Sequence, residues 1–292
     1  MLMQYNENKL IEIFVRCDDF CQLFDNWLAK RGVPANQNQP LSTLSDSEIL
    51  TLIIFYHYSG YKCFQYYYQD LVRNVLVKDF PKIPSYNRFI ELIPYQTLRL
   101  QMFLKYLSLF SIRTGNYFID SKKMPVCDNR RIHSNKVFVG FAGRGKSSTG
   151  WFYGLKTHLI INELGQIINF ALTPANISDN DDRLMNYMFD GLKGQCFGDK
   201  GYLTKLFEQY YLRGLLLITK VRKNMKNKLM KIKDKINLKK RALIESVNDI
   251  LMTVFDIDHT RHRNPINAMA HTFGGLIAYC FYETKPATFI IK

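Results

Sequence analysis

The chain has 292 residues, with 40 Lys and Arg against 25 Asp and Glu, a formal net charge of +15. That length can bury one large core or two smaller ones. The charge favours a polyanionic partner, either nucleic acid or an anionic membrane surface. No charged segment followed by a long apolar one opens the chain, so no signal peptide is expected. The longest weakly charged stretch, Pro265 to Tyr282, is interrupted by His271 and Gly274-Gly275. It falls short of a membrane-spanning helix of ~20 apolar residues, so no membrane partner is expected. In a cytoplasmic setting the six cysteines read as reduced thiols. Cys17 and Cys21 have no second pair at ligand spacing nearby, which argues against structural zinc.

The first hundred or so residues read as short-looped helices. Leu10, Ile11, Phe14 and Val15 recur at helical spacing. Ser45 and Glu48 form a capping-box pattern ahead of the apolar run Ile49 to Tyr58, and Gly60 suits a left-handed helix end. A helix is expected from Ser85 to Leu92, broken at Pro94, with a further one from Gln96 to Ile112. Such a series fits a helix-turn-helix DNA reader and a plain helical cap equally well. The Tyr66-Tyr67-Tyr68 stretch reads as core rather than as a DNA-stacking surface.

At Gly115 the pattern changes. Tyr117–Asp120, Val137–Phe141, Trp151–Ile161 and Ile167–Leu172 read as strands, with a hairpin turn at Asn162-Glu163-Leu164-Gly165. Asp181 to Leu192 reads as a helix; Asp179, Asp181 and Asp182 at its start are explained by the helix dipole. A short strand then ends at Asp199, followed by a helix from Thr204 to Leu212 and a strand from Leu215 to Thr219. Strands grouped first and then alternating with helices predict an α/β fold, a mixed sheet flanked by helices. The expected domains are a helical region over 1–112, able to read DNA, and a catalytic domain over 113–292. A basic insertion spans 220–241, where eleven of twenty-two residues are Lys or Arg and one is acidic. Its position just before the helix that carries Glu245 favours phosphate contact over a free linker.

Asp120 and Asp199 each follow a short apolar run, at predicted strand ends, where ligand sites of open α/β sheets gather. Phosphodiester cleavage needs a deprotonated nucleophile and an offset for charge on phosphorus. Two Mg²⁺ ions ~4 Å apart, held by carboxylates, supply both. On a helix from Lys240 to Phe255, Ile244, Val247, Leu251 and Val254 form one apolar stripe, with Glu245 at its border. On geometry alone Glu245 reads as half of a surface ion pair with Arg241, and Asp249 and Glu208 remain open as third acids.

The segments Pro84-Ser85-Tyr86-Asn87-Arg88-Phe89, Phe118-Ile119-Asp120-Ser121-Lys122, Gly150 to Lys156, Phe197-Gly198-Asp199-Lys200-Gly201-Tyr202, Ile244-Glu245 and His259-Thr260-Arg261-His262-Arg263 follow one another along the chain. Together they resemble a DDE transposase of the bacterial insertion-sequence 982 family, over nearly the whole length. The resemblance implies an RNase H-like catalytic core. It also implies Mg²⁺, as two ions with Mn²⁺ able to substitute, and cutting and joining at the element's terminal repeats. Asp120, Asp199 and Glu245 become the expected catalytic and metal-binding residues. Expected DNA contacts are Lys122, Lys123, Arg144, Lys146, Lys200, Arg222, Lys223, Lys240, Arg241, Arg261 and Arg263. A homodimer in the active complex and a cytoplasmic, nucleoid-associated bacterial location complete the expectation. The alternatives are a nuclease of the same fold and an inactive DNA-binding relic. The sequence departs from the wider group in one respect: Leu238 and Met252 stand where a Tyr and a Lys accompany the Arg and Glu.

Two further patterns are set aside. Gly140 to Ser147 fits the phosphate-loop spacing G-x-x-x-x-G-K-[ST], but turn and strand residues follow where a helix is required, so no nucleotide is expected. His259, His262 and His271 lack a glutamate at metalloprotease spacing and read as a basic or helix-capping cluster. His158, on a predicted strand, reads as a satisfied core histidine.

Overall fold

The computed structural model describes residues 6–33, 39–147, 150–219, 232–258 and 262–288. The chain divides into two compact units, Met1–Leu107 with Leu251–Tyr282, and Ser108–Ile250 with Glu283–Lys292. The first unit thus takes in residues 251–282, which the sequence reading placed in the catalytic domain. Their principal element is the helix Pro265–Cys280, whose side chains from Asn267 to Tyr279 are nearly all buried.

The first unit begins with α1 (Glu7–Ala29), α2 (Asp46–Tyr56) and α3 (Phe64–Tyr66), followed by α4 (Tyr86–Leu109). In α1 the buried stripe is Leu10, Ile13, Cys17, Phe20, Cys21 and Phe24, while Ile11 and Val15 face solvent. Both cysteines are therefore core side chains. The capping box at α2 is formed: Glu48 N–H donates to Ser45 Oγ (3.2 Å) and Ser45 N–H to Glu48 Oε2 (2.6 Å). Gly60 takes φ +75°. Tyr67 and Tyr68 are fully buried, but Tyr66 is 65% exposed.

The expected break at Pro94 does not occur; α4 runs straight through it. A proline inside a helix leaves the carbonyl four residues earlier without its usual donor. Here that carbonyl, of Ile90, accepts from Asn267 Nδ2 at 3.4 Å. Asn267 lies on the buried helix Pro265–Cys280, 177 residues along the chain, and offsets what the proline removes.

In the second unit, β1 (Asn116–Cys127), β2 (Gly143–Ser147), β3 (Gly150–Asn162), β4 (Ile167–Pro174), β5 (Gly194–Gly198) and β6 (Leu215–Thr219) form one mixed sheet. β1 pairs antiparallel with β3, whose other edge takes β2 and then β4, both antiparallel. On its far side β1 pairs in parallel with β5, and β5 with β6. The predicted strand Val137–Phe141 is instead a turn: Gly140 has φ +82°, and the Phe141 and Ala142 amides both donate to the Phe138 carbonyl. The strand lies just beyond, at β2, within the phosphate-loop-like pattern, so no helix opens there.

Four helices accompany the sheet in sequence: α5 (Asp182–Phe189), α6 (Phe207–Leu212), α7 (Ile232–Lys240) and α8 (Ala242–Thr253). The buried helix Pro265–Cys280 is α9. Side chains of α5, with Tyr210 of α6, join Tyr117, Ile119, Ile160 and Ile168 in one apolar cluster. The helix expected from Lys240 to Phe255 is α8, two residues shorter at each end, and a turn at Arg241 separates it from α7. Its stripe closes with buried Phe255 rather than Val254, which is half exposed.

Candidate active site

Asp120 is not at a strand end, because β1 continues to Cys127. Asp199 does stand at one, immediately after β5. The last pair between these parallel strands is Phe118 with Phe197, so each aspartate lies two residues beyond it, Asp120 on β1 and Asp199 just past the end of β5. The rings of Phe118 and Phe197 meet at a 33° tilt with centres 5.8 Å apart.

The motif around Asp199 has a local logic. A Cβ at Gly198 would come within 3.1 Å of Ile119 and 3.2 Å of Tyr202, so a side chain there would push β5 from β1. Asp199 caps the turn Lys200–Tyr202, its Oδ1 accepting from Gly201 N–H at 2.7 Å. A Cβ at Gly201 would lie 2.9 Å from that same oxygen. Tyr202 is fully buried, and its hydroxyl meets no partner at full hydrogen-bond geometry, Ser121 being its nearest candidate. Burial and the carboxylates of Asp179, Asp120 and Asp199 hold that hydroxyl protonated.

Asp120 meets α8. Its Oδ1 accepts from Arg241 Nη1 (3.3 Å) and its Oδ2 from Asn248 Nδ2 (3.1 Å). The other arm of the guanidinium donates to Glu245 Oε1 at 2.7 Å. Arg241 thus forks between strand and helix, and its side chain is only 14% exposed, against 56% for Glu245. Burial raises the Asp120 carboxyl to about 6; Arg241 opposes this, while Asp199 and Glu245 add to it. All three expected acids are therefore within electrostatic reach of one another. Glu245 lies in the first turn of α8, where the helix dipole favours an anion. Of the acids left open, Asp249 faces Lys122 (3.4 Å), and Glu208 stands in the first turn of α6.

A fourth carboxylate was missed. Asp179 was read as a helix-start acid, yet Asp181 alone caps α5, accepting from the Arg183 and Leu184 amides. Asp179 instead accepts from Lys156 Nζ at 2.7 Å, and its Oδ2 would lie 3.5 Å from a Cβ on Gly201. His158 Nδ1 is 4.0 Å from Asp179 and has no hydrogen-bond partner, while Nε2 meets Thr173 Oγ1 at 2.9 Å. Burial pushes His158 down to about 4, so it is neutral at physiological pH. The expectation of a satisfied core histidine is half met. The pairing of β4 with β3, which sets Lys156 opposite Thr173 and His158 opposite Ala171, brings both towards this carboxylate just beyond β4; Asn248, one turn after Glu245, was the one partner with a periodic signal.

Among the described residues no three His, Cys, Asp or Glu side chains stand close enough together to hold a metal ion. The donor chemistry nonetheless suits a hard divalent cation, since the converging groups are carboxylates. A metal shared by Asp120 and Glu245 requires the Arg241 guanidinium to turn aside.

The expected DNA contacts do not form one described surface. Lys240 pairs with Glu163 (3.7 Å) and Lys122 with Asp249. Lys123 is half-buried and Lys200 is exposed next to Asp199. Arg144 and Lys146 lie 5.5 and 5.7 Å from the ring centre of Trp151, an exposed cation–aromatic patch. Arg263 belongs to the first unit, and Arg222, Lys223, Arg261 and His259 lie outside the described residues. The reading of His262 and His271 as a basic cluster is corrected. Their rings lie 5.7 Å apart, and burial with the neighbouring His271 drives His262 down to about 3.

A family model described as a transposase DDE domain matches residues 110–265, more than half of the chain. The chain belongs to this family of DDE transposase domains. The match spans β1, which carries Asp120, β5, which ends one residue before Asp199, and α8, which carries Glu245. No curated protein and no solved structure matches the chain. Among the described residues, no helix is long and apolar enough to cross a membrane.

Proposed function

We propose that the chain is an insertion-sequence transposase of the 982 family. In this reading it cuts the element's ends and joins the freed 3′-hydroxyl to target DNA, as a homodimer associated with the bacterial nucleoid. The observation that carries the proposal is the placement of Asp120 on β1 and Asp199 just past the end of the adjacent parallel β5, inside the matched span, with Glu245 held towards Asp120 by one guanidinium. An RNase H-like core is supported by the sheet order, a three-stranded antiparallel run followed by two parallel strands.

In this reading Asp120, Asp199 and Glu245 are the ligands of two Mg²⁺ ions, with Mn²⁺ able to substitute. The metals, when bound, activate the attacking oxygen and stabilise the leaving one. The chain's own residues prepare the site. Gly201 N–H and Asn248 fix the two aspartate side chains, and Arg241 aims Glu245. Exposed Lys200 and the Arg144–Lys146–Trp151 patch supply phosphate and base contacts. Residues 1–112 serve DNA recognition. Leu238 is buried in place of the tyrosine expected of the wider group, so it contributes packing and no DNA contact.

The test is Mg²⁺-dependent cleavage and strand transfer on labelled DNA carrying the element's terminal repeats, with wild type beside Asp120→Asn, Asp199→Asn and Glu245→Gln. Wild type should cut and join, and the three variants should bind but do neither. Cutting without joining favours the nuclease, and binding without chemistry in either Mg²⁺ or Mn²⁺ favours the relic.

A further inference from the structure

The first unit contains a cleft of about 760 Å³ that the catalytic reading leaves unused. It opens between α3, the N-terminal half of α4 and the start of α9, all within that unit. Four Phe and Tyr side chains line it: buried Tyr56, Phe64 and Tyr86, both partly buried, and Tyr66, which is 65% exposed. Two cations stand at its rim, Lys62 and Arg263, both exposed. Lys62 is only loosely engaged, 3.6 Å from Asp256. The rim's acid, Glu91, is matched by Arg88 at 3.0 Å.

The floor carries the decisive group. Asn267 is 3% exposed, and its Nδ2 is committed to the Ile90 carbonyl that Pro94 leaves without a helical donor. That bond fixes which way the amide points, because a carbonyl can accept only from the NH₂ end. Asn267 is among the residues that line the cleft, and its Oδ1 is buried with no hydrogen-bond partner. An unsatisfied buried acceptor is costly, so such a group in a native site calls for a donor. The nearby imidazoles do not compete as cations, since burial pushes both His57 and His262 well below their usual range.

From this combination we infer that the cleft is a binding site for one unpaired DNA base, stacked on its aromatic walls. The base's amino group donates to Asn267 Oδ1, and the flanking phosphates meet Lys62 and Arg263. An exocyclic amine is carried by cytosine, adenine and guanine but not by thymine, so the site should discriminate against thymine. Stacking on aromatic side chains tolerates any base, whereas a buried acceptor does not. The inference rests on the DNA-processing reading for the identity of the polymer. It adds a site in the unit that lacks the three acids.

The test is binding of the full-length protein to three fluorescently labelled duplexes of one sequence: fully paired, with a single bulged cytosine, and with an abasic bulge. The expected result is about tenfold tighter binding of the cytosine bulge than of the other two, from stacking and one hydrogen bond. A bulged thymine should fall between. Tyr66→Ala, an exposed change that leaves the fold intact, and Arg263→Ala should reduce the preference. Asn267→Ala should remove the cytosine–thymine difference. Equal binding of all duplexes by wild type, or a preference untouched by Tyr66→Ala and Arg263→Ala, overturns the base pocket while leaving the transposase reading in place. Failure to bind any DNA overturns both.

Discussion

Asp120→Asn should make the protein more stable at neutral pH while removing its chemistry. Burial raises the Asp120 carboxyl from 3.8 to about 6, even with Arg241 opposing the shift. A carboxyl whose folded pKa is raised contributes stability that is fully present below 3.8 and is lost as pH rises through 6. The ionised form therefore costs about 3 kcal/mol at pH 7.5 relative to a neutral group of the same shape, taking 1.36 kcal/mol per pKa unit. The same linkage leaves about 1.5 kcal/mol at pH 5 and less than 1 kcal/mol at pH 4. Asparagine is that neutral group, and it can still accept from Asn248. The assay is thermal denaturation followed by circular dichroism, in chelator, at pH 7.5, 5 and 4. For a unit of this size the variant should melt about 6–12 °C above wild type at pH 7.5. The gap should narrow steadily on acidification. A variant less stable than wild type at pH 7.5, or a gap independent of pH, would refute the electrostatic account of the site.

Other changes follow from the same geometry. Arg241→Gln should destabilise the protein by about 1–3 kcal/mol in chelator, because it leaves the mostly buried Asp120 without its cation; added Mg²⁺ should narrow that difference in the same melts. Gly201→Ala should lower strand cleavage at least tenfold with DNA binding unchanged in a gel shift, since its Cβ would press on Asp199 Oδ1. The histidines of the first unit should oppose the trend at Asp120. His262, held down to about 3, contributes stability above 6.5 that is lost as pH falls through 3. His262→Gln should therefore flatten the acid limb of the first unit's unfolding, by about 1–2 kcal/mol between pH 7 and pH 5, as read by urea denaturation.

The strands that the sequence revealed were those whose core residues are neighbours in sequence. The strand Leu215–Thr219 was read to the residue, and Asp199 was found because an apolar run stops at it. β1 was cut short at Asp120 because Ser121, Lys122 and Lys123 look like a loop, although ladder pairing with β3 carries all three onward. The break assigned to Pro94 failed for a related reason: the donor that replaces its missing N–H lies 177 residues away, where no local rule can find it. Asp179 escaped notice because a polar loop before a helix explains an acid adequately until Lys156 is placed beside it.

The Arg241–Glu245 pair shows why spacing could not decide between a surface ion pair and a functional acid. The pair at i, i+4 is present, as the bland reading required. Yet Arg241 does not sit on the helix; it occupies the turn between α7 and α8, from which one guanidinium reaches both Glu245 and Asp120. An exposed pair contributes little to stability, but this arginine is largely buried and tied to a second carboxylate on the sheet. Its geometry sets the register of the α8 N-terminus against β1, and hence where Glu245 stands. The ion pair and the functional acid are therefore one arrangement rather than rival accounts. It follows that Arg241→Lys, which keeps the charge but loses the fork, should preserve much of the stability while misplacing Glu245. Cleavage should fall with melting temperature nearly unchanged; a lysine variant that cuts like wild type would show that charge alone suffices.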